Sequence, residues 1–155
     1  MAIKKLLDAK EFARVCDELD SLFKEDNKKF GHRYLPISAK SISNSWANPA
    51  LLHNTMHVWV NYSDSDQSKP DGMIMFLENI NSTFGQKMFT EYCWISKNSS
   101  KSFSLLTTAL NFAKKRKIKY VTLSCLINHP NSERLQKIYQ KKGFIKDSIT
   151  FIKKL

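Results

Sequence analysis

The chain is poor in cysteine, in long apolar runs and, in its second half, in acid. Its three cysteines, Cys16, Cys93 and Cys125, form no CxxC pair and no zinc spacing. This excludes a paired redox motif and a zinc finger, and no metal site is expected. An odd cysteine count suits a reducing compartment with free, buried thiols. No apolar run approaches the roughly 18–20 residues of a membrane helix, so no membrane contact is expected. The opening residues, Met-Ala-Ile-Lys-Lys-Leu-Leu-Asp, lack the apolar stretch of a signal peptide. These absences point to a cytoplasmic protein. Repeats, low-complexity tracts and interdomain linkers are also missing, so residues 1–155 read as a single domain. What is there suits a globular core: 42% hydrophobic and 12% aromatic residues.

Charge divides the chain. Residues 1–91 hold 11 Lys/Arg against 12 Asp/Glu, whereas residues 92–155 hold 14 against two, Glu133 and Asp147. A basic second half fits an anionic partner (nucleic acid, a phosphorylated cofactor or an acidic protein surface) or a solvated lysine surface. The densest cluster, Lys114-Lys-Arg-Lys117-Ile-Lys119, falls at a helix C-terminus, where the dipole itself favours cations.

Periodicity orders the elements. Asp8 and Glu11 open a helix over about 8–27, with Phe12, Val15, Cys16, Leu19, Leu22 and Phe23 on one face. Ser38 caps a short helix carrying Ile42 and Trp46, stopped before Pro49. Strands are expected over 56–62, 72–80 and 87–95, the first two joined by a hairpin through Asp71-Gly72. A helix over 102–116, a strand over 120–126 and a helix capped by Ser132 and ending near Gly143 follow. Phe144-Ile145 and Thr150-Phe-Ile read as terminal strands. The fold class is α+β, a mixed α/β sheet of about six strands flanked by helices.

Two segments carry a family resemblance. Leu105-Leu-Thr-Thr-Ala-Leu-Asn-Phe-Ala with the strand after it, and Asn131-Ser-Glu-Arg-Leu-Gln-Lys-Ile-Tyr-Gln-Lys-Lys-Gly-Phe144, resemble the GNAT family of N-acetyltransferases. Thr90-Glu-Tyr-Cys-Trp-Ile95 also resembles the fourth strand of phage-encoded members, including internal virion proteins. The resemblance implies acetyl-CoA as cofactor and an amine acceptor that attacks the thioester directly. A base for the ammonium and an acid for the thiolate are then needed. It implies Glu91 or Glu78 as base and Tyr139 as acid. It implies that Trp94, Ile95, Lys97, Ser99, Ser100, Lys101 and Ser102 border the cofactor, with Asn131 or Ser132 contacting it. The family's pyrophosphate loop is glycine-rich, and here Ser100 and Ser102 stand at the glycine positions. Serine loses glycine's backbone freedom but brings a hydroxyl. The alternative is a GNAT-fold structural protein without cofactor, possessing a basic face for DNA or an acidic protein and residing in a phage virion.

Strand alternation puts Glu91, Cys93 and Ile95 on one face and Tyr92 and Trp94 on the other. Cys93 reads as a buried thiol rather than a nucleophile, since no histidine stands at a paired spacing. His53 and His57 lie i, i+4 apart but run into a strand, so they form no helical metal pair. Trp46, Trp59, Trp94 and Phe103 read as core, with Trp94 abutting the loop.

Overall fold

The computed structural model describes residues 3–29, 38–81, 85–125 and 131–148. Among them the order is β1 (Ile3–Leu6), α1 (Ala9–Glu18), α2 (Asp20–Lys29), α3 (Ala39–Trp46), α4 (Pro49–Asn54), β2 (Met56–Tyr62), β3 (Pro70–Asn81), β4 (Gln86–Ser96), α5 (Ser99–Lys115), β5 (Tyr120–Thr122) and α6 (Ser132–Lys141). The five strands form one mixed sheet in chain order. β1 to β4 pair antiparallel, and β5 joins β4 in parallel through the α5 crossover.

Both faces of this sheet are covered, which explains why every residue of β2 is buried. On one face Val58, Val60, Met73, Met75, Cys93 and Ile95 meet Phe12, Val15, Cys16, Leu19, Phe23, Ile42 and Leu52 from α1–α4. On the other, Trp59, Ile74, Phe76 and Phe89 meet Leu105, Leu106, Ala109 and Ala113 of α5. Phe76 and Phe89 stack with centroids 4.4 Å apart. Gly72 allows a close approach between strands. A Cβ there would lie 2.8 Å from Asn61 Oδ1, from the Ile95 carbonyl oxygen and from Ser96 Cβ. Because one of these atoms is backbone, Gly72→Ala is expected to lower stability by about 1–2 kcal/mol in urea unfolding.

Several expected elements are corrected. The helix over 8–27 is two helices that break at Leu19, where Asp20 opens a new first turn and pairs with Lys24. α3 stops before Pro49 as expected, but a further helix, α4, starts there: Asn48 caps it and proline sits in its first turn, where its missing N–H costs nothing. β1 escaped the sequence pattern because two of its four residues are lysines, a usual edge-strand device. α5 starts one turn earlier than expected, at Ser99. β5 stops at Thr122, and the cap of α6 is Asn131, with Ser132 its first residue. Phe144 and Ile145 are not in a strand, which leaves five strands among the described residues rather than about six. The expected strand at 150–152 lies outside them.

Candidate active site

β4 and β5 pair only over Met88↔Tyr120, Phe89↔Val121 and Thr90↔Thr122, while β4 continues to Ser96. The two parallel strands therefore diverge at their C-terminal ends, the usual place for a ligand crevice in such a sheet. At that point β4 bulges. Met75 pairs with Cys93 and Phe76 with Glu91, so Tyr92 is an extra residue. The bulge overturns the simple alternation. Cys93 and Ile95 face the α1–α4 core, whereas Trp94 packs on the α5 side, the side to which Phe89 and Glu91 belong.

Glu91 fills the mouth of the divergence. Its Oε2 accepts the Ser124 backbone N–H at 3.0 Å, a side chain taking over where strand pairing stops. Burial raises its carboxyl to about 7, opposed in part by that N–H. Tyr139, buried on α6, places its hydroxyl 3.5 Å from the Ser124 carbonyl oxygen. Burial first, then the negative charge of Glu91 and the Cys125 thiol, push the phenol well above its ordinary range. The Trp94 ring lies over Tyr139 at 6.5 Å and meets Phe103 edge-on at 5.6 Å. The Trp94 indole N–H is buried and has no hydrogen-bond partner among the described residues. On α6, Ser132 is buried, and its Oγ accepts from Gln136 Nε2 at 3.0 Å and lies 3.5 Å from Cys125 Sγ. Asn131 precedes it at the helix cap. The structure thus brings Glu91, Trp94 and Tyr139 together around Ser124. Sequence reasoning missed Ser124; the only available signal was its place just beyond a parallel strand.

Glu78 is held elsewhere. It pairs with Phe89, not Glu91, and its carboxylate accepts from Arg116 Nε at 2.9 Å, Arg116 Nη2 at 3.2 Å and Lys87 Nζ at 3.1 Å. His57 Nε2 lies 3.1 Å away. Burial alone would raise this acid, but hydrogen bonds from Arg116, Lys87 and His57 hold it below its ordinary range. His57 is pushed down to about 4 by its own burial and by Lys5, so it is neutral at neutral pH. Arg116 also lies over the Phe112 ring at 5.7 Å. Arg116, though exposed, is therefore committed to Glu78 and Phe112.

The start of α5 is closed by its own residues. Asn98 Oδ1 accepts the backbone N–H groups of Ser100 and Lys101 at 3.0 and 3.4 Å, and the Ser100 hydroxyl at 2.7 Å. The Ser102 N–H bonds the Asn98 carbonyl, as an ordinary helical turn requires. Lys97 donates its N–H to the Asp71 carbonyl at 2.8 Å, and its Nζ lies 3.4 Å from the Pro70 carbonyl oxygen. Lys101 Nζ reaches Asp64 at 2.8 Å and Asp71 at 3.8 Å. The hydrogen bond it donates to Asp64 raises the Lys101 ammonium above its ordinary range. Ser99 opens the helix and Ile95 is buried in β4. Groups of three or more His, Cys, Asp or Glu able to hold a metal are absent among the described residues, and no described helix is long and apolar enough to cross a membrane.

No family model matches this chain, and no curated protein sequence does. Solved structures do. A ribosomal-protein-alanine N-acetyltransferase from Brucella melitensis biovar Abortus 2308 is similar at 14% identity and TM-score 0.62, over all of both chains. An aminoglycoside acetyltransferase from an uncultured soil metagenomic sample, in complex with sisomicin, is similar at 14% identity and TM-score 0.67, over 99% of this chain and 95% of that one. An acetyltransferase of Trypanosoma brucei is similar at 14% identity and TM-score 0.59, over 99% of each. At these identities the likeness shows the fold, which is that of the GNAT acetyltransferases.

Proposed function

We propose that this chain is an acetyl-CoA-dependent N-acetyltransferase in which an amine attacks directly at the β4–β5 divergence. The observation that carries this reading is Glu91: a half-buried carboxyl, raised to about 7, set against Ser124 and beside Tyr139 where the parallel strands part. A carboxyl near the working pH is suited to accept a proton and release it again. The unpartnered Trp94 N–H in the same place fits a polar ligand entering the crevice. Acetyl-CoA, when bound, supplies an acetyl thioester.

The residues then divide the work. Glu91 takes the proton from the incoming ammonium, directly or through one water, which leaves the nitrogen lone pair free to attack. Tyr139, kept protonated by burial and by the Glu91 charge, donates its phenolic proton to the leaving sulfur and regains one from the attacking nitrogen, which sheds its second proton as the adduct collapses to the amide. Trp94 and Phe103 exclude water from the reacting end. At the start of α5, Ser99, Ser100, Lys101 and Ser102 hold phosphate only by exchange: the Asn98 carboxamide turns aside and Lys101 trades Asp64 for the ligand. The N-terminal end of a helix favours that anion once the cap is displaced. Asp64→Asn, which removes the nearer of the two competing carboxylates, is expected to tighten acetyl-CoA about two- to fivefold by calorimetry.

The direct test is thiol release from acetyl-CoA with a panel of amines, including aminoglycosides and an alanine-terminated peptide, followed across pH. The reading expects kcat/KM to rise with pH through about 7. A rate flat from pH 5.5 to 8.5, or no release with any amine, would sink it.

The closed start of α5 favours a second reading, a GNAT-fold interaction protein that has lost the cofactor. In that case Asn98 and Asp64 hold their partners permanently, and the basic second half meets DNA or an acidic protein within a phage virion. It predicts salt-sensitive binding to such a partner and silence toward acetyl-CoA.

A further inference from the structure

On the α1–α4 side of the β4 bulge lies a cleft of about 230 Å³ lined by Ser38, Ser41, Ile42, Ser45, Trp46, Tyr92 and Cys93. Its composition runs against the rest of the chain. The protein carries 25 Lys/Arg and 14 Asp/Glu, yet among the described residues no charged side chain lines this cleft. The helix that forms one wall, Ala39-Lys-Ser-Ile-Ser-Asn-Ser-Trp46, is a poor helix former, with three serines and one asparagine in eight residues. A helix needing only a solvated face would gain stability from Glu, Lys or Gln there. Ser41 and Ser45, four apart, present two hydroxyls along one line of α3. Neither hydroxyl bonds another described residue. The Ser38 hydroxyl is already used, accepting the Ser41 N–H as the helix cap.

The opposite wall is aromatic. The bulge pushes Tyr92 out of the sheet, leaving it 52% exposed. Its ring meets Trp46 edge-on at 5.0 Å. An exposed ring next to a row of hydroxyls matches a ligand with one apolar face and one hydroxylated edge. Among the described residues no carboxylate lines the cleft, which argues against a polyamine, and no cation lines it, which argues against a phosphorylated or carboxylated acceptor. At about 230 Å³ the cleft falls below the roughly 300–1,000 Å³ of drug-sized pockets, so it has room for a single ring. Its floor, Tyr92 and Cys93, directly follows Glu91 in β4; the Glu91 carboxyl lies on the other face of the sheet, so a group seated in the cleft reaches it only through the β4–β5 divergence.

We infer that this cleft seats one hydroxylated saturated ring, and that the acceptor is a monocyclic amino sugar. The assignment rests on the acetyltransferase reading above for the reaction, but not for the binding. The ring's C–H face stacks on Tyr92 with Trp46 against its edge, and its hydroxyls bond Ser41 and Ser45.

Saturation-transfer NMR tests the binding on the whole chain without donor, using glucosamine as probe, with spermidine and an alanine-terminated peptide as competitors. Glucosamine ring protons should receive saturation, neither competitor should displace it, and Tyr92→Ala should abolish the signal. Ser41→Ala combined with Ser45→Ala should weaken the dissociation constant about tenfold, as loss of two hydroxyl hydrogen bonds implies. Both variants alter exposed or half-buried side chains, and an unchanged melting temperature shows that the fold is intact. Absence of saturation, displacement by spermidine or the peptide, or an unchanged dissociation constant in both variants would overturn the assignment. Because the sugar is read without donor, an acetyl-CoA titration that stays silent refutes the enzyme reading separately. Acetyl transfer to another amine, with no glucosamine binding, refutes only this inference.

Discussion

Glu91→Gln is expected to lower kcat/KM for acetyl transfer on the order of a hundred- to thousandfold near pH 8 while making the protein more stable. The two effects have one cause. Burial raises the Glu91 carboxyl from 4.5 to about 7 in the folded chain, so the unfolded chain ionises first as pH rises. Stability contributed by the neutral form is present below 4.5 and is lost as pH climbs through about 7. Above that, the folded state carries a carboxylate it solvates poorly. Glutamine keeps an oxygen for the Ser124 N–H and cannot ionise. The variant should therefore gain on the order of 2 kcal/mol at pH 8 and little at pH 4. Urea unfolding at the two pH values, set beside the rate, checks both halves. A carboxylate with a purely structural role would lose stability and leave the rate alone.

Glu78→Ala should do the reverse. Its carboxyl is nearly buried and holds Arg116, Lys87 and His57. Removing it leaves like charges converging on one place and the buried His57 Nε2 without its partner. A loss of about 3 kcal/mol is expected, as for breaking a buried pair from one side. Acetyl-CoA affinity should stay within about twofold, since the cluster shares no partner with the crevice. The pH dependence also has the opposite sign to that of Glu91. The folded Glu78 is held below its ordinary range, so its contribution is present above that range and is lost as acid protonates it. An acetyl-CoA affinity that collapses in Glu78→Ala, with the melting temperature unchanged, would show that the two carboxylates had been assigned to the wrong tasks.

Sequence alone treated these carboxylates as equals, and the reason is physical. Both are strand acids on neighbouring strands, and period-2 alternation cannot register one extra residue. The Tyr92 bulge puts Trp94 on the α5 side and leaves Cys93 in the other core, a change of face that spacing cannot reveal. Much of the fold was legible because burial on both sides of the sheet leaves continuous apolar runs such as Val58-Trp-Val60 and Met73-Ile-Met-Phe76. β1 was not, since its two lysines go to opposite faces of the sheet: Lys4 reaches Glu11 of α1, and the Lys5 ammonium sits over Phe112 of α5 at 4.4 Å. α4 is hidden because proline usually ends a helix, whereas Asn48 before Pro49 makes it a helix start. The state of the 97–102 loop was out of reach for another reason. Its cap is local, but Lys101 is held by Asp64 from 37 residues away, a pairing only the folded hairpin creates. The question of whether serine can replace glycine there now has a companion: whether phosphate can displace Asn98 and Asp64.

Calorimetric titration of the whole chain with acetyl-CoA decides this most directly. The account predicts saturable binding in the micromolar range, tighter in Asp64→Asn and preserved in Glu91→Gln. No heat at millimolar acetyl-CoA, in the unaltered chain and in Asp64→Asn alike, would contradict it and leave a GNAT fold without its cofactor.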